Sequence, residues 1–254
     1  VKTVTFFDTR PTTASAVVAK AFIKAGATTS DVFAVTVRDS LGNPITSGGV
    51  TVTAAPSDTR TTQVVGSATA ATCTWNVLGN AYHCPITGAA ADKFGPVAYT
   101  ITAAGTGVHT AVRVTTTATV TFADNVATKA VLAGPATGAP GATVEYTLTL
   151  TEKNGYPVAD QTYGVNAAGG VLFAKSVVSG WTTAPFATTD SFTTISGVIT
   201  SKGILPIAGV ATGTWTLVGD GLQTLSANAI DKTIGKTTVT VSTDVSNPGV
   251  DAAT

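Results

Sequence analysis

The 254-residue chain balances 14 basic against 14 acidic side chains, and charged residues make up only 11% of it. A net charge of zero without a Lys/Arg cluster excludes a nucleic-acid footprint and a polybasic membrane patch. Mean hydropathy is +0.33, yet no run approaches the 18 or so apolar residues of a membrane helix, so no membrane insertion is expected.

The length fits one large domain or two of about 100–150 residues. Thr supplies about a fifth of the chain, well above its usual share. Thr, Val and Ala fill alternating runs, and β-branched side chains suit a pleated, half-buried surface. No long stretch has helical spacing, so the expected fold is all-β. A soluble chain this apolar and charge-poor is weakly protected against association, which favours a protein built to assemble. A monomer with a hydroxyl-covered surface is the alternative. Met is absent. Loss of a signal peptide from an exported protein accounts for that most simply; removal of the initiator before Val1 is the other account.

The first expected element is the strand Lys2-Thr-Val4-Thr-Phe6, followed by the linker Asp8-Thr-Arg-Pro11-Thr12. It resembles Ala118-Thr-Val120-Thr-Phe122, which closes a domain. The earlier copy precedes the first domain and has no obvious home. A strand with free edges seeks a partner, and donation to a neighbouring subunit supplies one. Val4 and Phe6 are therefore candidate interface residues. The alternative is that this strand opens the first domain.

Next comes Val35-Thr-Val-Arg-Asp39-Ser-Leu-Gly42-Asn-Pro44-Ile45, which recurs as Leu148-Thr-Leu-Thr-Glu152-Lys-Asn-Gly155-Tyr-Pro157-Val158. Each copy is an alternating strand, an acidic residue, a Gly-x-Pro turn and a new apolar strand. Gly42 and Gly155 can supply positive φ, and Pro44 and Pro157 fix φ at the next strand. Asp39 and Glu152 can accept backbone N–H groups within the turn.

Cys73 and Cys84 flank a Leu78-Gly79-Asn80-Ala81 hairpin turn. Cross-strand spacing would bring them within disulfide reach, which implies an oxidising compartment. Buried free thiols and a metal site with His83 are the rival readings; the metal site lacks a fourth ligand. His109 falls on an alternating run, Gly107-Val-His109-Thr-Ala-Val.

The repeat continues. Val50 to Ala54 matches Tyr163 to Ala167, Ala98 to Thr102 matches Thr214 to Val218, and Thr119 to Phe122 matches Thr238 to Val241. The spacing is about 115 residues, the size of one β-sandwich. Asp124-Asn125 and the following Val126-Ala127-Thr128 form the joint between the two sandwiches, with no long linker, and short joints suit a stiff rod. Trp75 and Trp215 read as core aromatics. Trp181 reads as the exposed one, a candidate for binding or subunit contact. The resulting division is 1–10 N-terminal strand and linker, 11–124 first sandwich, 125–243 second sandwich, and 244–254 tail or linker.

The Asp39-x-x-Gly42-Asn43-Pro44-Ile45 grammar resembles bacterial immunoglobulin-like domains of the invasin/intimin type. The second copy departs from it, with Glu152 for Asp and Tyr156 for Asn. Both copies are longer than the usual family domain, so insertions are expected. The resemblance spans most of the chain as a pattern, but its specific part is one turn motif per copy. It implies tandem β-sandwiches on adhesins, surface-layer proteins or phage virions, without catalytic activity.

No Gly-x-Ser-x-Gly elbow and no HExxH motif is present. Acidic residues are scattered rather than clustered as calcium requires; an interdomain site using Asp8 or Asp124 is the one cation alternative. No catalytic residue, cofactor or metal ligand is assigned. The expected role is a structural, self-assembling cell-surface protein, a surface-layer or filament subunit, with a homo-oligomeric lattice or filament as partner. An adhesin stalk or phage decoration module that binds glycans is the alternative.

Overall fold

The computed structural model describes residues 7–133, 137–138, 143–163, 172–179, 192–204, 212–218, 222–231 and 236–246. The protein is all-β. Among the described residues the only helical element is a 3-10 turn at Gly107–His109. The chain divides into two compact units, Val1–Ala123 and Asp124–Thr254.

Among its described residues the first unit has nine strands: β1 Thr13–Val18, β2 Phe22–Lys24, β3 Thr28–Arg38, β4 Gly49–Ala54, β5 Ala71–Thr72, β6 Thr74–Asn76, β7 Ala81–Thr87, β8 Gly95–Ala104 and β9 Arg113–Ala123. They form two sheets, ordered β1-β3-β7-β6 and β2-β9-β8-β4-β5. This is the strand arrangement of an immunoglobulin-like sandwich, with the first strand divided between the sheets. β1 runs antiparallel to β3. After a crossing at residues 19–21, β2 runs parallel to β9. The chain changes sheet again at Cys73, between β5 and β6.

Strand alternation builds the core. In β8, Val97, Tyr99, Ile101 and Ala103 are buried while Pro96, Ala98 and Thr100 are exposed. Val35 and Ile86 from one sheet and Val52, Ile101 and Val120 from the other belong to one apolar cluster. Phe33 meets Tyr99 edge-on, with ring centroids 5.8 Å apart. Fully burying side chains of this size stabilises by roughly 1.5–3 kcal/mol each. The first described strand of this sandwich is β1; residues 1–6, which hold the expected N-terminal strand, lie outside the described residues.

The second unit contains β10 Lys129–Ala133, β11 Thr137–Gly138, β12 Thr143–Thr151, β13 Thr162–Tyr163, β14 Leu172–Ser179, β15 Phe192–Thr193, β16 Val198–Ile204, β17 Thr212–Val218, β18 Leu222–Asp231 and β19 Lys236–Ser246. Its sheets are β10-β12-β16, β11-β19-β18-β17-β14 and the pair β13-β15. Tyr146, Leu148, Leu150, Val158 and Ile199 are buried in it.

The two copies close differently. In the first, the segments around Tyr99 and Val120 are direct neighbours, with Ala98 opposite Thr119. In the second, their sequence counterparts lie on β17 and β19, and β18 is inserted between them. In the first copy residues 105–112 connect β8 directly to β9, whereas in the second Leu222–Asp231 forms a strand of its own. β19 also runs to Ser246, past the expected start of the tail at residue 244.

Candidate functional site

The repeated turn is built the same way in both units. Asp39 N–H donates to the Asn43 carbonyl at 3.0 Å, and Glu152 N–H donates to the Tyr156 carbonyl at 2.8 Å. Gly42 and Gly155 close the loop at φ +83° and +88°, a left-handed geometry that glycine adopts without a Cβ penalty. The acidic side chains face inward and satisfy the turn. Asp39 accepts from the Leu41 and Asn43 backbone N–H groups at 2.9 and 2.8 Å. Glu152 accepts from those of Asn154 and Tyr156 at 3.0 and 2.9 Å. Both carboxylates are buried. The Asn43 and Asn154 side-chain amides also donate to Asp39 and Glu152 at 3.2 and 2.8 Å, and Asp39 accepts in addition from the Asp8 backbone N–H at 3.1 Å. These groups are structural turn anchors, which is the role their position predicted.

Cys73 and Cys84 form a disulfide, with Cα atoms 4.2 Å apart. Thr74 pairs with His83 in the ladder, so the two cysteines lie next in register. Cys73 occupies the point where the chain passes between sheets, and its N–H donates to the Val50 carbonyl at 2.9 Å. The bond therefore pins a crossover. The turn itself is one residue earlier than expected, Val77–Asn80. The Asn76 side chain accepts from Leu78 and Gly79 N–H at 2.9 and 3.2 Å, and Asn80 takes φ +48°.

His83 faces away from Cys84, as alternation requires, and its Nδ1 lies 3.0 Å from Asp31. With both sulfurs bonded to each other, no Cys/His ligand set forms. His109 does not sit on a strand. It ends the 3-10 turn and lies 3.4 Å from the Asp8 carboxylate. The positive φ of Gly107 and the close backbone approach at Gly105, where a Cβ would meet the His109 carbonyl at 2.5 Å, break the alternating run.

Asp8 and Asp124 serve their own units. Asp8 Oδ1 accepts from the Arg10 N–H at 3.1 Å, and Asp124 Oδ1 accepts from the Val126 N–H at 3.2 Å. Asp124 also pairs with Lys153 at 3.6 Å. Among the described residues no group of three or more His, Cys, Asp or Glu side chains is placed to hold a metal ion. Trp75 packs edge-on against Tyr82 at 5.1 Å, as a core-facing aromatic does. Trp181, Val4 and Phe6 lie outside the described residues, as does the side chain of Trp215.

One constellation had no sequence signal. The long connection between β4 and β5 carries two buried polar residues, Thr61 and Gln63. Thr61 Oγ1 donates to the Thr87 carbonyl at 2.8 Å, and Gln63 Oε1 accepts from the Thr87 N–H at 3.3 Å. They tie this loop to β7. Only its pairing partners, far away in sequence, reveal it.

The resolved electrostatic shifts all trace to structure. Burial opposes the Asp58 charge, but bonds and attraction from Arg60 outweigh it and hold the carboxyl below its ordinary value. Burial pushes the Tyr146 phenol up to about 12. Neither group is poised for proton transfer near neutral pH.

No family model and no curated protein matches this chain. Parts of several solved structures are similar to most of it. One is invasin, described as a bacterial integrin-binding protein, at 15% identity and TM-score 0.31, over 85% of this chain and 39% of that one. A glycosyl hydrolase family 2 member from Bacteroides cellulosilyticus matches at 14% identity and TM-score 0.32, over 82% and 23%. Domains 4–9 of the surface layer protein SbsC match at 21% identity and TM-score 0.28, over 88% and 32%. The chain thus spans less than two-fifths of each of these structures, and the invasin named by the sequence resemblance is among them.

Proposed function

We propose that the chain is a structural subunit of an extracellular surface assembly, a surface layer or filament, in which immunoglobulin-like units self-associate. The observation that carries this reading is how the polar groups are used. In both units the buried carboxylates hold turns, and the buried Thr61 and Gln63 hold a loop. This reading gives the described polar groups structural tasks and calls on no catalytic step. What faces outward is rich in hydroxyls and poor in charge, a surface that favours association.

The disulfide supports a location outside the reducing cytosol. Sheet edges, hydroxyl-rich faces and a strand donated from residues 2–6 would supply the contacts. Sizing chromatography with electron microscopy tests the reading: ordered assemblies at high concentration support it, and a strictly monomeric chain contradicts it.

A further inference from the structure

The outer face of the first unit's five-stranded sheet carries a grid of threonines, with Pro96, Ala98 and Ala104 of β8 on the same side. One row crosses four strands, with Thr72 opposite Thr51, Thr51 opposite Thr102, and Thr102 opposite Thr115. The next row runs Thr53, Thr100, Thr117. Every outward position of β9 from 115 to 121 is Thr. The five strands contain no Asp or Glu, and their only charges, Lys24 and Arg113, are at strand ends. The outer face of the other sheet is mixed by comparison, with Arg38, the His83–Asp31 pair and an exposed Val17.

We propose that this threonine face is a contact surface for the same face of a second copy of the chain. The inference rests on the assembly reading above and names the surface that would carry it. The interior of the grid is uncharged, with Lys24 and Arg113 kept to strand ends, so a charged group docked there would be buried unpaired, which is costly. A second uncharged grid of the same chemistry carries no such penalty. Each Thr hydroxyl both donates and accepts, so two identical grids can satisfy each other while their methyl groups pack.

Shape narrows the choice further. Neighbouring strands twist by roughly 20–25°, and twisted sheets stack face to face at about 30°. A flat crystalline surface would not follow that twist. Size sets the strength. Strand spacing of about 4.8 Å and a rise of about 3.4 Å per residue give a face of roughly 400 Å². That is about half of the ~800 Å² each partner buries in a stable pair. The contact is therefore too small for a lone dimer and acts where each copy also touches other neighbours.

The test compares the full chain with a T100K/T117K double variant by sedimentation over a concentration series. Both positions are exposed, so the fold should tolerate the change, with circular dichroism and thermal unfolding as controls. Like charges then meet at the centre of the contact, and the assembly concentration should rise roughly tenfold or more. T100S/T117S keeps the hydroxyls and should assemble nearly as the parent does. If the Lys variant unfolds early, T117K alone is read the same way. Lys variants that assemble at the parent concentration overturn the threonine contact and leave the assembly reading standing. A parent chain that never assembles overturns both.

Discussion

Asp39 and Glu152 perform one task with side chains of different length. Each accepts the N–H groups two and four residues ahead, and the additional methylene of Glu152 is absorbed inside a buried turn. Burial opposes the Asp39 charge, but N–H bonds from Asp8, Asn43 and Leu41 outweigh it and hold the carboxyl below its ordinary value of 3.8. A lowered carboxylate pKa stabilises the fold above the unfolded-state value, and that contribution disappears as the pH falls through the folded-state value. The first unit should therefore lose thermal stability below about pH 4. Asp39→Asn should be less stable than the parent at neutral pH and should approach it in acid. A stability gap that stays constant across a pH series of melting curves would speak against the carboxylate as turn anchor. Two glycines make a second residue-scale comparison. Gly42 has open space around a Cβ and only its positive φ at stake, so Gly42→Ala should cost about 1–2 kcal/mol. At Gly88 a Cβ would meet the Gly26 nitrogen at 2.5 Å, so Gly88→Ala should cost more. Denaturant titration of both variants decides the order.

At the scale of elements, local chemistry was legible in the sequence and long-range pairing was not. The Gly-x-Pro turns and the cysteine hairpin are short-range features, and the residues that shape them adjoin in the chain. The inserted β18, the 3-10 turn carrying His109 and the Thr61–Gln63 loop lock depend on distant partners or on glycines that override an alternating pattern. The disulfide closes a sequence separation of 11, which corresponds to about 2–3 kcal/mol of loop entropy. Replacing both cysteines with Ala should lower stability by that order while the sandwich still folds. An unchanged denaturation midpoint would show that the β5–β6 crossover is held by its ladder bonds alone. Strand donation is tested by truncation. Phe7 packs against the first core, so the cut should remove residues 1–6 and spare it. The truncated chain should fold as before and fail to assemble; assembly at the parent concentration would count against donation.

At the scale of the molecule, composition carries the account. A chain with 11% charged residues and zero net charge has little electrostatic repulsion to keep copies apart. Its described buried polar groups serve turns and loops, and its first unit presents a charge-poor hydroxyl grid. Self-association is the function we propose from these features. The most direct measurement is sedimentation of the purified, disulfide-intact chain over rising concentration, followed by electron microscopy of the pelleted material. The account predicts a concentration threshold above which ordered sheets or filaments appear. A chain that sediments as a monomer throughout, with no ordered material on the grid, would contradict it.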